Sequence, residues 1–436
     1  MVEWGELLES RLRIKLAYGK DGLEVDLPGD LRVTVVQPKY VEALPDPAGA
    51  LRAALRQPSG TAPLMQLAGP SDRVGVVFSD LTRPTPNAVI LPILLAELDH
   101  IPDSRIVLFN STGTHRPNTD AELRGMLGSD LAARFRIVQN DALDRASHVS
   151  VGTTSRGNDI RLLRDYVECD FHVLTGFIEP HFFAGFSGAG KAVMPGLAAL
   201  ETVLRNHGAR NIDDPRSSWG VTHGNPIWED IREAALMVPR NFLLNVTLNR
   251  DKRITGVFAG DLDLAHEQGC AFVRSTAMVG MPAPFDIVIS TNSGYPLDLN
   301  VYQSVKGMSA AAQLVKQGGS IIMAADCWDG IPDHGEYARL LREAEDLPSL
   351  LRTVRSPGFL KQDMWEAQIQ ALIQAKAEVH FFSRHLSDEQ MRQAHLIPCR
   401  SIEARLEELR RKHGQEATIC VLPEGPQTIP YLANRG

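Results

Sequence analysis

The chain has few cysteines, no excess of positive charge and no long apolar run. Its 436 residues include five cysteines, and none of them forms a C-x-x-C pair. Their odd number and wide spacing argue against a disulfide framework and structural zinc, and favour a reducing compartment. Lysine and arginine number 45 against 53 aspartates and glutamates, a formal net charge of -8. Nucleic acid is therefore not an expected partner.

The apolar pattern also argues against a membrane protein. The N-terminus is acidic and lacks the apolar core of a secretory signal, and no apolar run approaches membrane-spanning length. We therefore expect a cytoplasmic protein with no membrane partner. The sequence does not specify an oligomeric state.

Short β-rich apolar runs alternate with segments of helical period. The predicted strands cover residues 73–79, 105–110, 136–139, 171–177, 285–290, 320–325, 378–382 and 418–422. The predicted helices cover residues 87–99, 120–135, 262–277, 301–315, 363–376 and 401–413. This alternation predicts an α/β fold with parallel sheets.

The length of the chain exceeds one ordinary core and predicts two domains. The segment Met281-Pro-Ala-Pro284 interrupts the sequence before a new strand and places the boundary near residue 278. We expect an N-terminal α/β domain over residues 1–278 and a doubly wound, Rossmann-like domain over residues 279–423. A tail, residues 424–436, is expected to pack back on the N-terminal domain.

Residues 181–191 partly match a phosphate-binding loop. The match is Gly185-x-x-x-x-Gly190-Lys191, but Ala192 takes the position of the Ser or Thr that binds Mg²⁺. Such a loop must also open a helix, and Pro195 would break a helix beginning at the lysine within one turn. A P-loop phosphotransferase is therefore disfavoured and stays an alternative.

Polar residues follow three of the predicted strands. Asp80 and Arg83 follow the first, His115 the second and His181 the third. Because ligands of α/β sheets collect at the carboxyl ends of strands, these groups are expected at one edge. A histidine can exchange a proton near neutral pH, and an arginine can bind a carboxylate or phosphate. Alternatively, Asp80 caps helix 87–99 and the histidines only stabilise turns.

Other polar residues have less distinctive settings. Lys191 lies in a glycine-rich loop, where it could be a charge clamp or a covalent attachment point. Gln303 and Lys306 share a face of a predicted helix. This face either lines a cleft or exposes the two side chains to solvent as a pair. Trp365 reads most simply as a packing residue. Zinc bound by His207 and the two strand-end histidines is a further alternative, although no local His-x-x-x-His spacing supports it.

Together these motifs resemble the nickel-dependent lactate racemase family. The matching segments occur in a consistent order, and they are Ser79-Asp80-Leu-Thr-Arg83-Pro-Thr-Pro86, Gly113-Thr-His115-Arg-Pro117, Pro180-His181 through Lys191, His207 and Tyr302-Gln303-x-x-Lys306. The resemblance implies an isomerase, a 2-hydroxy-acid racemase or epimerase, with its active site in the cleft between two domains. The substrate would be a small 2-hydroxy acid, lactate-like or a sugar acid.

The resemblance also implies a cofactor, a nickel pincer nucleotide (pyridinium-3,5-bisthiocarboxylic acid mononucleotide). Lys191 would hold it covalently and His207 would bind the nickel. Cofactor-biosynthesis proteins would be transient partners. By the same resemblance, the nucleotide contacts would be Asp80, Leu81, Thr82, Arg83, Gln303 and Lys306, and the substrate contacts Arg83, Tyr302, Lys306 and Trp365.

His115 and His181 would be the catalytic histidines, one serving each enantiomer. The hydrogen on C2 of a hydroxy acid is too weakly acidic for a histidine to remove as a proton. It can leave as hydride if a histidine takes the hydroxyl proton at the same time. A non-catalytic hydroxy-acid binding protein is an alternative. The pair of histidines argues against it, because binding alone requires neither of them. One departure is Gly188-Ala-Gly-Lys191, where many members carry Gly-Gly-Arg-Lys.

Overall fold

Two six-stranded sheets organise the chain, which the computed structural model describes over residues 11–29, 31–333 and 335–433. One compact unit spans residues 39–276, and we call it the N-terminal unit. The other combines the described residues up to Pro38 with those from Ala277 onward, and we call it the C-terminal unit.

The strands share the short lengths expected of an α/β protein. In chain order they are β1 (Arg11–Leu16), β2 (Leu23–Pro28), β3 (Val33–Val35), β4 (Val74–Ser79), β5 (Ile106–Ser111), β6 (Arg136–Gln139), β7 (His148–Thr153), β8 (Asp159–Leu163), β9 (Phe171–Phe177), β10 (Pro180–His181), β11 (Gly185–Phe186), β12 (Asn241–Leu248), β13 (Ile254–Gly260), β14 (Met278–Met281), β15 (Phe285–Thr291), β16 (Val315–Ala324), β17 (Ala377–Phe382), β18 (Ile397–Cys399), β19 (Ile419–Leu422) and β20 (Ile429–Leu432).

The α-helices lie between these strands. They are α1 (Pro47–Arg56), α2 (Leu64–Leu67), α3 (Asn87–Ala96), α4 (Asp120–Leu127), α5 (Ser129–Arg134), α6 (Arg164–Val167), α7 (Leu200–Asn206), α8 (Ala209–Ile212), α9 (Pro226–Leu236), α10 (Leu262–Ala277), α11 (Val301–Leu314), α12 (Tyr337–Glu343), α13 (Leu347–Val354), α14 (Met364–Lys376), α15 (Asp388–Gln393) and α16 (Ile402–His413).

The main sheet of the N-terminal unit has the strand order β13-β12-β9-β4-β5-β6. All neighbours are parallel except β12 and β13, which are antiparallel. Every residue of β9 is buried, as are the first five of β4. Near-continuous apolar runs of this kind are typical of parallel strands that are covered on both faces. Counted from β4, the order is that of a doubly wound sheet, with its switch point between β4 and β9.

Helices α1 and α3 contribute to the core of this unit. Leu51 and Leu55 of α1 and Ile90 and Leu94 of α3 are fully buried in the same cluster as Val76 of β4. Burying one such side chain contributes about 1.5–3 kcal/mol to stability. This apolar packing holds the central strands in place and so fixes where their carboxyl ends lie.

The main sheet of the C-terminal unit has the order β18-β17-β16-β15-β19-β3, and all its neighbours are parallel. The order reverses between β15 and β19, so this sheet is also doubly wound. The predicted fold class, α/β with a doubly wound C-terminal sheet, is confirmed. The N-terminal unit has the same kind of sheet, although its less regular sequence pattern predicts only an α/β domain.

Two boundary predictions are wrong. The described residues up to Pro38 belong to the C-terminal unit, because β3 pairs with β19 and completes the edge of its sheet. The described part of the tail, residues 424–433, belongs to the C-terminal unit and not to the N-terminal one. Its strand β20 pairs in parallel with β14, and both strands belong to the C-terminal unit. Residues 434–436 lie outside the described part of the chain.

The predicted helix over residues 120–135 consists of two helices. Gly128 separates α4 from α5 and has a φ of 83°, a left-handed conformation that an α-helix cannot continue through. Across the described residues, no helix is both long enough and apolar enough to span a membrane.

Asp286 of β15 is hydrogen-bonded to Lys316 of β16 and to Thr418, the residue directly before β19. It accepts hydrogen bonds from Nζ of Lys316 at 2.7 Å, from the backbone N–H of Thr418 at 2.9 Å and from the Thr418 hydroxyl at 2.7 Å. Burial acts to raise the pKa of Asp286, but the hydrogen bonds from Lys316 and Thr418 outweigh it. The pKa of Asp286 therefore falls from about 3.8 to about 2.

The lowered pKa predicts a pH-dependent stability. A carboxyl group with a lowered folded-state pKa stabilises the fold above its unfolded pKa and loses this effect as pH falls towards the folded value. We expect Asp286→Asn to lower the free energy of unfolding by about 1–2 kcal/mol at pH 7, with a difference that shrinks between pH 4 and pH 2. Urea unfolding at several pH values measures it. Glu24→Gln, at a side chain that is 65% exposed, is the control and should have little effect.

Candidate active site

Three of the predicted site residues follow adjacent strands of the N-terminal unit. β4 pairs in parallel with β5 on one side and β9 on the other. Asp80 directly follows β4, His115 lies four residues beyond β5, and His181 lies four residues beyond β9. These are carboxyl ends at the switch point of the sheet, the place where α/β proteins bind ligands.

A buried carboxylate holds His115. Nδ1 of His115 lies 2.9 Å from Oδ2 of Asp80, whose side chain is only 3% exposed. The Thr82 hydroxyl donates to Oδ1 of Asp80 at 2.8 Å. Burial acts to raise the pKa of Asp80, but the hydrogen bond and charge of His115 and the charge of Arg83 outweigh it, so this pKa lies below its ordinary value. The carboxylate can only accept, so it favours a proton on Nδ1 of His115 and a lone pair on Nε2, which is able to accept a proton.

The turn after β4 positions Arg83 close to this pair. The backbone N–H of Arg83 donates to the carbonyl oxygen of Asp80 at 3.1 Å, and that of Leu81 donates to Oδ1 of Asn118 at 3.4 Å. The Leu81 side chain is exposed. The N-terminus of α3 has no side-chain cap. Asp80 therefore contacts His115 and does not cap this helix.

His181 and Lys191 lie next to each other. Nζ of Lys191 is 3.5 Å from Nε2 of His181, and the backbone N–H of Ala184 donates to Nδ1 of His181 at 3.3 Å. The His181 ring stacks on Phe182 with 5.1 Å between centroids and meets the edge of Phe183 at 4.5 Å. Two aromatic rings and a backbone donor therefore orient this imidazole.

Lys191 lies in a single 3₁₀ turn, Ala189–Ala192, and not at the start of an α-helix. Gly188 precedes the turn with a φ of 86°, and a Cβ there would lie 2.4 Å from Oδ1 of Asn245. That oxygen accepts the backbone N–H of Ala189 at 2.9 Å. A P-loop requires a helix that opens at the lysine, so the turn does not support this alternative.

His207 caps the C-terminus of α7 and is buried. Its Nδ1 lies 2.8 Å from Oδ1 of Asn206, and its ring meets Phe183 edge-on at 4.9 Å. Burial lowers the pKa of His207 to about 3, with a smaller contribution from the charge of Lys191. The imidazole is therefore neutral at physiological pH, the form that a metal ligand requires.

The zinc alternative receives no support from the arrangement of side chains. In the ranges that the structure describes, no group of three or more His, Cys, Asp or Glu could hold a metal ion.

The C-terminal unit brings its predicted residues into two contacting pairs. On α11, Nζ of Lys306 donates to Oε1 of Gln303 at 2.8 Å. Nε1 of Trp365 donates to the hydroxyl of Tyr302 at 3.3 Å. Because Tyr302 precedes Gln303 directly, the two pairs meet at the start of α11.

Sequence reasoning missed Glu366, which follows Trp365 in the first turn of α14 and is 1% exposed. Burial raises the pKa of Glu366, the charge of Lys306 opposes this effect, and Asp363 adds to it. An acidic residue in the first turn of a helix is common, so the sequence carries no signal for this buried carboxyl group.

Two family models match the chain. The model for the lactate racemase N-terminal domain matches residues 18–220, and the model for the lactate racemase C-terminal domain matches residues 281–429. The chain belongs to the lactate racemase family. The resemblance of the sequence motifs to this family is thereby confirmed.

Two curated relatives carry the name lactate racemase. The one from Lactiplantibacillus plantarum is 38% identical over 374 residues, which are 85% of this chain and 88% of the relative. The one from Thermoanaerobacterium thermosaccharolyticum is 35% identical over 422 residues, which are 95% of this chain and 98% of the relative. The family catalyses a racemisation, so the predicted isomerase class of this chain is confirmed.

Solved structures agree with this membership. The lactate racemase apoprotein from T. thermosaccharolyticum superposes with a TM-score of 0.90 at 35% identity, covering 96% of this chain and all of that one. A protein from Thermotoga maritima gives a TM-score of 0.67 at 19% identity over 90% of this chain. The second match supports the fold alone.

Gly190 stands where the family resemblance leads us to expect an arginine. A Cβ at Gly190 would lie 3.0 Å from the carbonyl oxygen of Ile231 and 3.3 Å from Cβ of Ala235. Both residues belong to α9, so the turn that carries Lys191 packs its backbone directly on this helix. A side chain at residue 190 would require the turn or α9 to shift.

This packing predicts that Gly190→Ala destabilises the protein by about 1–3 kcal/mol, because the added methyl group overpacks the contact with α9. The matched control is Gly125→Ala in α4, where nothing lies within 4 Å of the added Cβ. The control should raise stability by up to about 1 kcal/mol through helix propensity. Chemical unfolding of both variants measures the difference, and equal stabilities would contradict the tight contact.

Proposed function

We propose that this protein inverts C2 of a 2-hydroxy acid as a racemase or epimerase, with a nickel pincer nucleotide attached to Lys191 and its nickel bound by His207. The observation that carries the proposal is the 3.5 Å distance between Nζ of Lys191 and Nε2 of His181 at the switch point of the sheet. This distance places His181, the proposed acid–base group, beside Lys191, the proposed attachment point. The name of the relatives supports lactate as the first substrate to test, with lactate-like and sugar acids next.

The residues present fit this cofactor. His207 is neutral and its Nδ1 is hydrogen-bonded to Asn206, so Nε2 carries the lone pair for a metal. One imidazole beside ligands from the cofactor suits a planar Ni(II) site. When bound, the cofactor would supply a reversible acceptor for the hydrogen of C2 as hydride.

The protein's own chemical task in this proposal is proton transfer. A histidine takes the hydroxyl proton as the C2 hydrogen leaves, which produces a 2-keto acid, and a histidine returns a proton when the hydrogen is added to the other face. Because the enantiomers place their hydroxyl groups differently, His115 serves one and His181 the other. Asp80 stabilises the imidazolium form of His115.

The remaining site residues are assigned to binding. Arg83 or Lys306 grips the substrate carboxylate, a task that suits the planar guanidinium or the compact ammonium group. The proposed nucleotide contacts are Asp80, Leu81, Thr82, Arg83, Gln303 and Lys306, and the proposed substrate contacts are Arg83, Tyr302, Lys306 and Trp365. Both carboxylate oxygens of Asp80 contact His115 or Thr82, which supports an orienting role for Asp80 besides nucleotide binding.

The cofactor assignment predicts a covalent adduct and bound nickel. Protein produced together with a functional cofactor pathway should show the added mass on Lys191 and about one nickel per chain. Intact mass, peptide mapping and metal analysis measure these quantities. Lys191→Arg keeps the charge but should carry no adduct.

A lactate racemase relative that is loaded in the same cells provides the positive control. If the relative carries adduct and nickel and this chain carries neither, the proposed function is wrong. Tight binding of a hydroxy acid without racemisation by fully loaded protein would indicate a binding protein instead. Racemisation of another 2-hydroxy acid, but not of lactate, would keep the reaction and change the substrate.

The two-histidine assignment predicts that His115→Ala and His181→Ala each reduce kcat for racemisation by about 10²- to 10⁴-fold, the usual contribution of a general acid or base. Both variants should keep the adduct on Lys191, since neither histidine is the attachment point. Chiral chromatography of the D and L acids measures the rate. The control is His100→Gln, because His100 hydrogen-bonds the carbonyl oxygen of Ala68 and has no assigned role in the reaction. Wild-type activity in a loaded His115 or His181 variant would remove that histidine from the acid–base role.

A further inference from the structure

Behind His207 lies a buried chain of hydrogen bonds that the proposed reaction does not use. Oδ1 of Asn206 lies 2.8 Å from Nδ1 of His207. Nδ2 of Asn206 donates to Oδ2 of Asp230 at 2.9 Å and to the carbonyl oxygen of Ile227 at 3.1 Å. Asn206 is fully buried and Asp230 is 1% exposed.

The neighbours of Asn206 determine which way its amide group faces. A carboxylate oxygen and a carbonyl oxygen can only accept hydrogen bonds, so both require the NH₂ group of Asn206 on their side. The amide oxygen must then face His207. An amide oxygen can only accept, so the imidazole proton must lie on Nδ1 and the lone pair on Nε2.

Asp230 is itself held in place by other buried residues. Its Oδ1 accepts the Thr154 hydroxyl at 2.6 Å, and its Oδ2 accepts Nδ2 of Asn158 at 2.9 Å in addition to that of Asn206. A carboxylate with donors on both oxygens has one stable orientation. The position of Asp230 on α9 therefore fixes Asn206 at the end of α7.

We propose that Asn206 and Asp230 are positioning residues for nickel, which act by holding the proton of His207 on Nδ1. The inference rests on the proposed function for the metal, but the tautomer is a property of the protein alone. Residues that hydrogen-bond a metal-ligating histidine commonly orient it and fix its tautomer, and their substitution costs about 10- to 100-fold in metal affinity.

Two variants break this chain at different points. Asn206→Leu removes the acceptor of His207 in a side chain of similar size. Asp230→Asn keeps the shape of residue 230 but presents an NH₂ group in place of one oxygen. That NH₂ group can face the Thr154 hydroxyl, which is able to accept it, while the remaining oxygen faces the NH₂ groups of Asn158 and Asn206. A neutral amide oxygen accepts a hydrogen bond more weakly than a carboxylate, so Asn206 is held less firmly. Its amide then turns over in part of the molecules, and in these the imidazole proton moves to Nε2.

Thr154→Val is the matched control. It removes a buried donor from the same carboxylate but leaves the two hydrogen bonds to Oδ2 of Asp230 in place. It therefore tests whether general damage to the buried network, and not the orientation of Asn206, is responsible for any effect.

The tautomer is measured first, on protein produced without the cofactor pathway. Imidazole nitrogen NMR, with the His207 signals assigned through a His207→Gln variant, should show the Nδ1–H tautomer in the wild type and in Thr154→Val. Asn206→Leu and Asp230→Asn should show a mixture with the Nε2–H tautomer. Circular dichroism checks folding, and Asp230→Asn carries the test if Asn206→Leu does not fold.

Nickel retention is measured second, on loaded protein challenged with a chelator. We expect both variants to keep the adduct on Lys191 and to lose nickel at about 10- to 100-fold lower chelator concentration than the wild type and Thr154→Val. Wild-type tautomer and nickel retention in both variants would overturn the inference. Absence of adduct and nickel from the wild type itself would instead refute the proposed function, while the apo tautomer result would still report on Asn206.

Discussion

The pairing of β4 with β5 on one side and β9 on the other is the constraint on which the candidate site depends. In this register Ser79 lies opposite Ser111, so the polar turns after β4 and β5 leave the sheet at the same level. The buried apolar runs of these strands prevent a shift, because a slip by one residue would move every side chain to the opposite face of the sheet and disrupt its packing there. Asp80 and His115 can therefore meet although 35 positions separate them in the chain.

Three histidines of the N-terminal unit have three different partners. His115 faces a carboxylate, His181 accepts a backbone N–H, and His207 faces an amide oxygen. A carboxylate stabilises a charged imidazole, whereas a neutral amide in a buried setting keeps the imidazole uncharged. The same side chain is thereby suited to proton exchange in one place and to metal binding in another.

The sequence was sufficient for eight strands of the two main sheets and for placing polar groups at the ends of three of them, because continuous apolar runs followed by polar turns are local signals. The sequence did not reveal β3, because a strand of three residues is too short to show a periodic apolar pattern, and its partner β19 is distant in the chain. The strands β12 and β13 were also missed. Asp230 could not be connected with His207 because they lie on different helices, and only the packing of α7 against α9 brings their hydrogen-bond chain together.

The membership of β3 in the C-terminal sheet has a consequence for the order in which the protein folds during synthesis. β3 is an edge strand whose one neighbour in that sheet is β19, so its backbone hydrogen bonds must wait until residues 419–422 have left the ribosome. The N-terminal unit contains all six strands of its own main sheet and can form earlier. The nascent chain therefore carries an unsatisfied strand ahead of a folded unit for most of translation, and closing this long loop is a late, slow step.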